Sequence, residues 1–270
     1  MIPAGFEYEV AESVEHAVEL LAREDAKVIA GGQSLLPMMR LRLARPTLLV
    51  DVGRLDDLRY VRATGDRLLI GALTRHSDLE RDPLVGEHCP VLAEAVRLVA
   101  DPQIRHRGTV GGSLAHGDPA GDLPAVLLAL EADLVVRGPD GERVVPAAEF
   151  FVSLFETALG PRDVLTEIRI PSGAEGVYLK LSRRSQDWAT VGVAAVRVGG
   201  NVRVALTNMG STPLRATGVE AALASGADAA AAAERAGDGT SPPSDPAASS
   251  EFRTHLAQVL VRRALEQLGV

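Results

Sequence analysis

The chain has 270 residues, of which 46% are hydrophobic and 24% charged, and its formal net charge is −8. This composition excludes a wholly disordered, collagen-like or coiled-coil protein, and the acidic balance argues against a nucleic-acid partner. The single cysteine, Cys89, excludes an internal disulfide and any iron–sulfur cluster held by this chain alone. No apolar run approaches the ~20 residues of a membrane-spanning helix, and residues 1–7 lack the features of a secretory signal. We therefore expect a soluble, cytoplasmic protein.

Hydrophobic periodicity, capping residues and turn signals predict alternating helices and strands. In chain order the prediction is helix 13–23, strand 28–30, helix 35–43, strands 48–52, 58–62 and 68–72, helices 91–99 and 123–130, strands 134–137, 143–145, 164–170, 178–181, 189–198 and 202–206, the Ala-rich helix 221–236, and helix 252–268. Ser13 is the expected N-cap of the first helix and Asp122 that of helix 123–130. Pro171-Ser172-Gly173 stops a strand and predicts a boundary between domains 1–172 and 173–270.

Two glycine loops carry the candidate binding chemistry. The first is Ala30-Gly31-Gly32-Gln33-Ser34-Leu35, and the second is Arg107-Gly108-Thr109-Val110-Gly111-Gly112-Ser113. Consecutive glycines leave backbone N–H groups accessible to an anion, and we expect both loops to follow strands. Neither loop matches a Walker A or a Gly-x-Gly-x-x-Gly sequence. A pair of glycines is also typical of a tight turn or a close packing contact, and the spacing alone does not separate the two interpretations.

The two loops resemble those of the FAD-binding medium subunits of molybdenum hydroxylases, with the strongest likeness to aerobic carbon monoxide dehydrogenases. The likeness extends along the chain through Gln103–Gly108, His116–Pro124 and Ser182–Ala189. It implies an α+β fold with a vanillyl-alcohol-oxidase (PCMH)-type FAD-binding domain of two α/β subdomains, about 1–54 and 55–172. It also implies a C-terminal domain with a three-stranded antiparallel sheet and helices.

The resemblance further implies that FAD is bound without a covalent link. The implied partners are a small subunit with two [2Fe–2S] clusters and a large molybdopterin subunit, assembled as a dimer of heterotrimers. Any membrane contact would be a peripheral one made by the whole complex. Electrons from substrate oxidised at molybdenum would pass through the clusters to FAD and then to an external acceptor. The substrate and the acceptor are set elsewhere.

The site residues that the resemblance implies all bind the cofactor; no catalytic or metal-ligating residue is expected. They are Ile29, Ala30, Gly31, Gly32, Gln33, Ser34, Leu35, Thr109, Gly111, Gly112, Ser113, Asp122, Leu165 and Lys180. Asp122 has the N-cap as its competing role. Lys180 would place a cation near the flavin.

Several neighbouring residues have other expected roles. Asp118 is expected in a turn before Pro119, and Trp188 as a core anchor of the C-terminal domain. The basic run Arg105-His106-Arg107 offers charge that offsets a diphosphate. Whether Asp187, Trp188 or His106 touches the flavin is open.

Two other functions compete with the electron-transfer subunit. The first is an independent FAD oxidoreductase that acts directly on a small substrate; Gln33 stands where a covalently attached flavin would need a histidine, which weakens it. The second is a flavin-free module that keeps the fold, and the two intact glycine loops argue against it.

Overall fold

The computed structural model describes residues 2–270. Its helices are α1 (Val14–Leu20), α2 (Leu35–Arg40), α3 (His76–Leu79), α4 (Pro83–His88), α5 (Pro90–Arg97), α6 (Pro102–Arg107), α7 (Val110–His116), α8 (Asp122–Ala129), α9 (Ala147–Phe150), α10 (Thr217–Ala224), α11 (Ala229–Ala233) and α12 (Ser250–Gln267). Its strands are β1 (Glu7–Val10), β2 (Ala26–Ile29), β3 (Leu48–Asp51), β4 (Val61–Thr64), β5 (Arg67–Gly71), β6 (Asp133–Gly138), β7 (Gly141–Pro146), β8 (Phe151–Ser153), β9 (Glu156–Thr157), β10 (Val164–Pro171), β11 (Glu175–Leu181), β12 (Val191–Val198), β13 (Asn201–Thr207) and β14 (Leu214–Arg215).

A three-stranded parallel sheet in the order β1-β3-β2 begins the fold. Its central strand β3 buries Leu48 and Val50 because helix α1 and the strands on either side cover it. The hydroxyl of Ser13 accepts a hydrogen bond from the His16 N–H, which confirms the predicted N-cap. The sheet delivers the first glycine loop at the end of β2.

The second sheet is antiparallel, in the order β4-β5-β10-β6-β7. The predicted strands 58–62 and 68–72 correspond to the antiparallel hairpin β4–β5, although β4 begins three residues later than predicted, and strands 134–137 and 143–145 correspond to the hairpin β6–β7. Helix α8 is buried on all sides because it packs between α5 and the C-terminal sheet, and its sequence is accordingly apolar around its circumference.

The C-terminal sheet has the order β11-β12-β13-β14, and α12 packs against β12. The three long strands are the expected ones. A fourth strand, the two-residue β14, pairs with Ala205 and Leu206, so the sheet is four-stranded rather than three-stranded. β14 is too short to give an alternating pattern in the sequence.

The predicted continuous helix over 221–236 is wrong. Helix α10 ends at Ala224, Gly226 follows with φ of +87°, and Asp228 caps the new helix α11 through a hydrogen bond from the Ala231 N–H. Alanine predominates in the run and favours a helix, but the Gly226 conformation and the Asp228 cap break it. Among the described residues, no helix is both long and apolar enough to cross a bilayer.

Candidate functional site

The first glycine loop leaves β2 with a run of free backbone donors. None of the N–H groups of residues 31–34 donates to a backbone or side-chain acceptor within the described part of the chain. Gly32 takes the left-handed conformation with φ of +76°, and Gln33 turns its amide back to donate to the Gly31 carbonyl at 3.2 Å. These free donors suit an anionic ligand.

The two glycine loops touch each other at Gly31. A Cβ on Gly31 would lie 2.3 Å from the Arg107 carbonyl oxygen and 2.8 Å from the Gly108 Cα. Both neighbours are backbone atoms, so only glycine allows this approach. The contact brings together segments almost eighty residues apart in the sequence, as one extended ligand spanning both loops requires.

The second loop differs from its prediction. It follows helix α6 rather than a strand, and Thr109 is the N-cap of α7, its hydroxyl accepting from the Gly112 N–H at 3.1 Å. The Gly111 N–H donates to the Ala72 carbonyl at 2.9 Å, and the Ser113 N–H donates to the Thr109 carbonyl at 3.0 Å. These amide groups are therefore not free donors, and the prediction that they form an anion cradle like that of the first loop is wrong.

Gly111 is a close packing position. A Cβ there would stand 2.6 Å from the Ala72 Cβ and 2.7 Å from its carbonyl oxygen. A Cβ on Gly112 would meet only the Thr109 hydroxyl, at 2.8 Å. Of the two glycines, Gly111 therefore packs the start of α7 against Ala72, the residue that follows β5, whereas a Cβ on Gly112 would meet only the Thr109 side chain.

The basic charge beside the second loop is distributed differently from the sequence expectation. Arg105 pairs with Glu80 at 3.1 Å and donates to the Val99 carbonyl, so the fold already uses its charge. Arg107 lies exposed, and Arg75 is held beside Thr109 by an antiparallel bridge. Neither Arg75 nor Arg107 pairs with a carboxylate within residues 2–270. Arg75 was missed because only the folded chain places it beside the loop.

Asp122 and Lys180 form a buried ion pair. The Lys180 Nζ lies 3.0 Å from the Asp122 Oδ2, and each side chain is only 4% exposed. Tyr178 donates its hydroxyl to the Asp122 Oδ1 at 2.7 Å, and Lys180 also donates to the Leu98 carbonyl at 2.9 Å. Burial raises the pKa of Asp122, while Lys180 and Tyr178 oppose that shift.

The competing interpretation of Asp122 as an N-cap is wrong. Gly121 occupies the N-cap position, and Asp122 is the first residue of α8, with its carboxylate directed to Lys180 and Tyr178. The sequence contained a signal for Tyr178, since residues two apart on a strand share a face. Burial and the Asp122 carboxylate hold the pKa of Tyr178 well above its ordinary value, so the phenol stays a donor.

The remaining predicted residues lie around these features. Ile29 ends β2 and its side chain lies beside Gly32. Leu165 is buried in β10. The carbonyl of the next residue, Thr166, accepts from the Ala72 N–H at 2.9 Å, and Ala72 in turn accepts from the Gly111 N–H, so β10 is connected to the second loop through Ala72. Asp118 accepts from the Ala120 N–H at 2.8 Å, which confirms the predicted turn.

Trp188 is not a core anchor, because it is 61% exposed. It lies with Asp187 on the loop after β11, at the edge of a cleft of about 580 Å³ between that loop and the turn of residues 118–120. The prediction failed because a lone tryptophan in an aromatic-poor chain favours burial, whereas this one stands on a polar loop with charged neighbours.

Comparison with known proteins identifies this arrangement. Residues 4–173 match the family model described as the FAD binding domain in molybdopterin dehydrogenase, and residues 176–268 match the CO dehydrogenase flavoprotein C-terminal domain. The chain belongs to this family of FAD-binding flavoprotein subunits.

Individual relatives are similar in sequence to nearly the whole chain. The carbon monoxide dehydrogenase medium chain of Hydrogenophaga pseudoflava is 44% identical, with 98% of this chain and 97% of the relative aligned. The nicotine 6-hydroxylase medium subunit of Paenarthrobacter nicotinovorans is 39% identical over 97% of this chain and 96% of its own. The solved Hydrogenophaga pseudoflava enzyme, which lacks the Mo-pyranopterin moiety, superposes with a TM-score of 0.95 at 45% identity and 98% coverage of both chains.

The predicted family, fold class and cofactor are confirmed by these matches. The protein is an FAD-binding oxidoreductase subunit of the molybdenum hydroxylase class, with an electron-transfer role, and it works with other subunits. The residues of this chain fit FAD. The free N–H groups of the first loop can donate to a diphosphate, and the contact at Gly31 brings the second loop beside them.

Proposed function

We propose that this chain is the medium subunit of a carbon monoxide dehydrogenase-type complex. In that complex, electrons released at a molybdenum site on a large subunit cross [2Fe–2S] clusters on a small subunit and reach FAD on this chain. FAD, when bound, accepts these electrons and passes them to an external acceptor. The full-length relationship to a carbon monoxide dehydrogenase medium chain supports the assignment. The observation that carries the site is the contact of Gly31 with Arg107 and Gly108 beside the free N–H groups.

The chain's own contribution is to bind and orient the cofactor. We assign the diphosphate to the N–H groups of residues 31–34, with Arg75 and Arg107 as balancing charge. The proposed cofactor site comprises the residues expected from the sequence, some of which bind the cofactor while others hold the loops in place: Ile29, Ala30, Gly31, Gly32, Gln33, Ser34, Leu35, Thr109, Gly111, Gly112, Ser113, Asp122, Leu165 and Lys180. Gly111 is included because its close packing on Ala72 positions the second loop, and Thr109 because its hydroxyl caps α7.

Lys180 is proposed to face the flavin end of the site. Its charge is compensated by Asp122 in the protein as folded, so the pair supplies a fixed local dipole rather than an uncompensated cation. In a buried hydrogen-bonded pair of this kind, the mutual attraction of the two groups offsets part of the cost of removing them from water. The Tyr178 hydroxyl fixes the second carboxylate oxygen and thereby the orientation of the pair.

FAD is proposed to be held non-covalently. Gln33 in the first loop is not a nucleophile, and its amide is engaged with the Gly31 carbonyl. Cys89 is fully buried, and burial raises the pKa of its thiol to about 12, so it is not positioned as a reactive thiolate. Acid precipitation checks this directly: yellow supernatant is expected, and a yellow pellet would contradict it.

We also propose a division into domains 1–172 and 173–270, with subdomains of about 1–54 and 55–172 in the first. In support, each multi-stranded sheet falls within one of these ranges, and Ser172 and Gly173 form a turn. A buried cluster that includes Ile168, Tyr178 and Ala194 packs across the division. A dimer of heterotrimers in the cytoplasm remains our proposal for the assembly; its mass by light scattering tests the stoichiometry.

The test of function uses this chain co-expressed with its partner subunits. Under anaerobic conditions we expect carbon monoxide to bleach the flavin absorbance of the purified complex, and the isolated chain to show no turnover. Bleaching by an N-heterocycle or an aldehyde but not by carbon monoxide would overturn the substrate and leave the electron-transfer role intact. Turnover by the isolated chain would overturn that role.

A further inference from the structure

The stretch that follows the first glycine loop leaves large apolar side chains in contact with water. Helix α2 buries only Met39 of its six residues. Leu36 on the helix is 39% exposed, and Leu41 and Leu43 just after it are 58% and 73% exposed. Single exposed apolar residues are normal on a protein surface, but a cluster of them is typical of an interaction site.

Three arginines are interleaved with these leucines. Arg40, Arg42 and Arg45 are exposed, and none of them pairs with a carboxylate within residues 2–270. The chain has no acidic residue between Asp25 and Asp51, although its net charge is −8. The stretch is therefore a positive patch on an acidic protein. We call the following side chains the α2 surface: Leu36, Arg40, Leu41, Arg42, Leu43 and Arg45.

The backbone holds the end of the α2 surface in a defined shape. The Leu43 N–H donates to the Met38 carbonyl at 2.9 Å, and the Arg42 N–H donates to the Met39 carbonyl at 3.0 Å. This pair of hydrogen bonds is the Schellman motif that ends many helices. Arg42 has a φ of +61° at the position of the motif where glycine is favoured. The conformation therefore gives no reason for an arginine there.

The α2 surface borders the proposed cofactor loop. Helix α2 begins at Leu35, directly after the free N–H groups of residues 31–34. The Leu36 Cδ1 lies 3.0 Å from the position of a Cβ on Gly32. A helix of six residues is about 9 Å long, so the far end of α2 is still close to that loop. A subunit that delivers electrons to FAD has to dock near the cofactor, and the α2 surface offers such a place.

We infer that the α2 surface is the docking site for an acidic face of the small iron–sulfur subunit. The arginines pair with carboxylates of that face, and the leucines pack against its apolar side chains. This inference rests on the proposed function. All three cations are arginines, which are enriched at protein interfaces and bind carboxylates in a bidentate manner, whereas lysine is depleted there. An anionic membrane matches the surface less well, because electrostatic attachment to lipid typically takes about four to eight cations.

The first test identifies the occupant of the α2 surface. Leu43 is replaced by the photoreactive residue p-benzoylphenylalanine in the complex co-expressed with its partner subunits, and cross-linked peptides are identified by mass spectrometry. We expect a cross-link to an acidic segment of the small subunit. The same replacement at Phe252, which is 50% exposed on α12, controls for non-specific reaction. A cross-link from position 43 to the large subunit, to a second copy of this chain or to lipid, or no cross-link, would overturn the inference.

The second test separates docking from folding. Arg42→Gly removes the charge and suits the left-handed backbone, so this chain should unfold at no lower temperature and retain its FAD. Loss of one interface arginine should weaken the affinity for the small subunit about 10-fold, measured by dilution of the purified complex in a mass photometer. Arg263→Ala, at an exposed and unpaired site on α12, is the matched control and should dissociate like the unmodified complex.

The outcomes distinguish this inference from the function on which it rests. Unchanged affinity for the small subunit in Arg42→Gly would overturn the docking site, and so would a loss of affinity that appears only together with lower thermal stability. A cross-link to the small subunit in a complex whose flavin no substrate reduces would leave the docking site in place and overturn the proposed function. A purified complex without an iron–sulfur subunit would overturn both.

Discussion

At the scale of single residues, Gly31 determines whether the two glycine loops can meet. The ideal Cβ position on this residue overlaps the Arg107 carbonyl oxygen at 2.3 Å, and backbone cannot rotate away as a flexible side chain can. Gly31→Ala should therefore separate the loops, destabilise the fold by roughly 1–3 kcal/mol as overpacking does, and lower FAD retention. Thermal unfolding and the flavin-to-protein absorbance ratio measure the two effects.

Gly86 offers the matched control for that substitution. It lies inside helix α4, and a Cβ there would meet no atom within 4 Å. Gly86→Ala should leave FAD retention unchanged and stabilise by up to ~1 kcal/mol, because alanine has the higher helix propensity. If Gly31→Ala behaved like Gly86→Ala in both measurements, the contact between the loops would not be needed for cofactor binding.

The sequence predicted correctly that both Gly-Gly pairs require glycine, but not the physical reason. From the sequence, a side chain at either pair is expected to keep an anion away from the backbone N–H groups. The structure gives other reasons: Gly32 requires its positive φ, and Gly111 requires contact with Ala72. The local sequence indicates a need for glycine, but a requirement set by Ala72, nearly forty residues away, becomes visible only in the folded chain.

At the scale of secondary-structure elements, the Asp122–Lys180 pair joins two helices to the C-terminal sheet. Asp122 opens α8, where a carboxylate interacts favourably with the helix dipole, and Lys180 bonds the Leu98 carbonyl at the end of α5, where a cation does. Resemblance to the family indicated both residues separately. That they pair could not be predicted, because the pairing depends on how β11 packs over the two helices.

Removing Lys180 should expose the electrostatic cost of burying Asp122. Lys180→Met leaves an unpaired buried carboxylate, and we expect a loss of about 3–5 kcal/mol near neutral pH. The double variant Asp122→Asn with Lys180→Met should recover a large part of that loss, since it buries no charge. Urea unfolding of the three proteins measures the effect, and an unchanged midpoint for Lys180→Met would contradict the buried pair.

The loss of stability in Lys180→Met should become smaller as the pH falls. Burial raises the folded-state pKa of Asp122, and without Lys180 it rises further. The folded state then holds a proton that the unfolded state has already released, so stability falls as pH rises from the unfolded to the folded pKa. The difference between Lys180→Met and the unmodified protein should therefore be smaller in acid than at neutral pH, and a larger difference in acid would contradict this account.

At the scale of the whole molecule, hydrophobic pattern and turn signals predict the order of most helices and strands, including the hairpins β4–β5 and β6–β7. The hydrophobic pattern does not predict the contacts between the N-terminal region and the C-terminal sheet. The turn after β13 is one such connection: the Asn208 N–H donates to the Pro119 carbonyl at 2.8 Å, in the turn that leads to Asp122. The asparagine adopts a left-handed φ of +63° and its amide donates to the Ala189 carbonyl at 2.7 Å.

Asn208→Ala should therefore loosen the contact between the 118–120 turn and the C-terminal sheet. The change removes the side-chain hydrogen bond and forces alanine into the left-handed region, and together these cost about 2–3 kcal/mol. Asn208→Gly loses the same amide but relieves the strain, so its loss should be about 1 kcal/mol. Urea unfolding gives both values, and FAD affinity of the complex should fall in the same order because the turn positions Asp122. Equal stability of the two variants would show that the left-handed turn is not under strain in the folded protein.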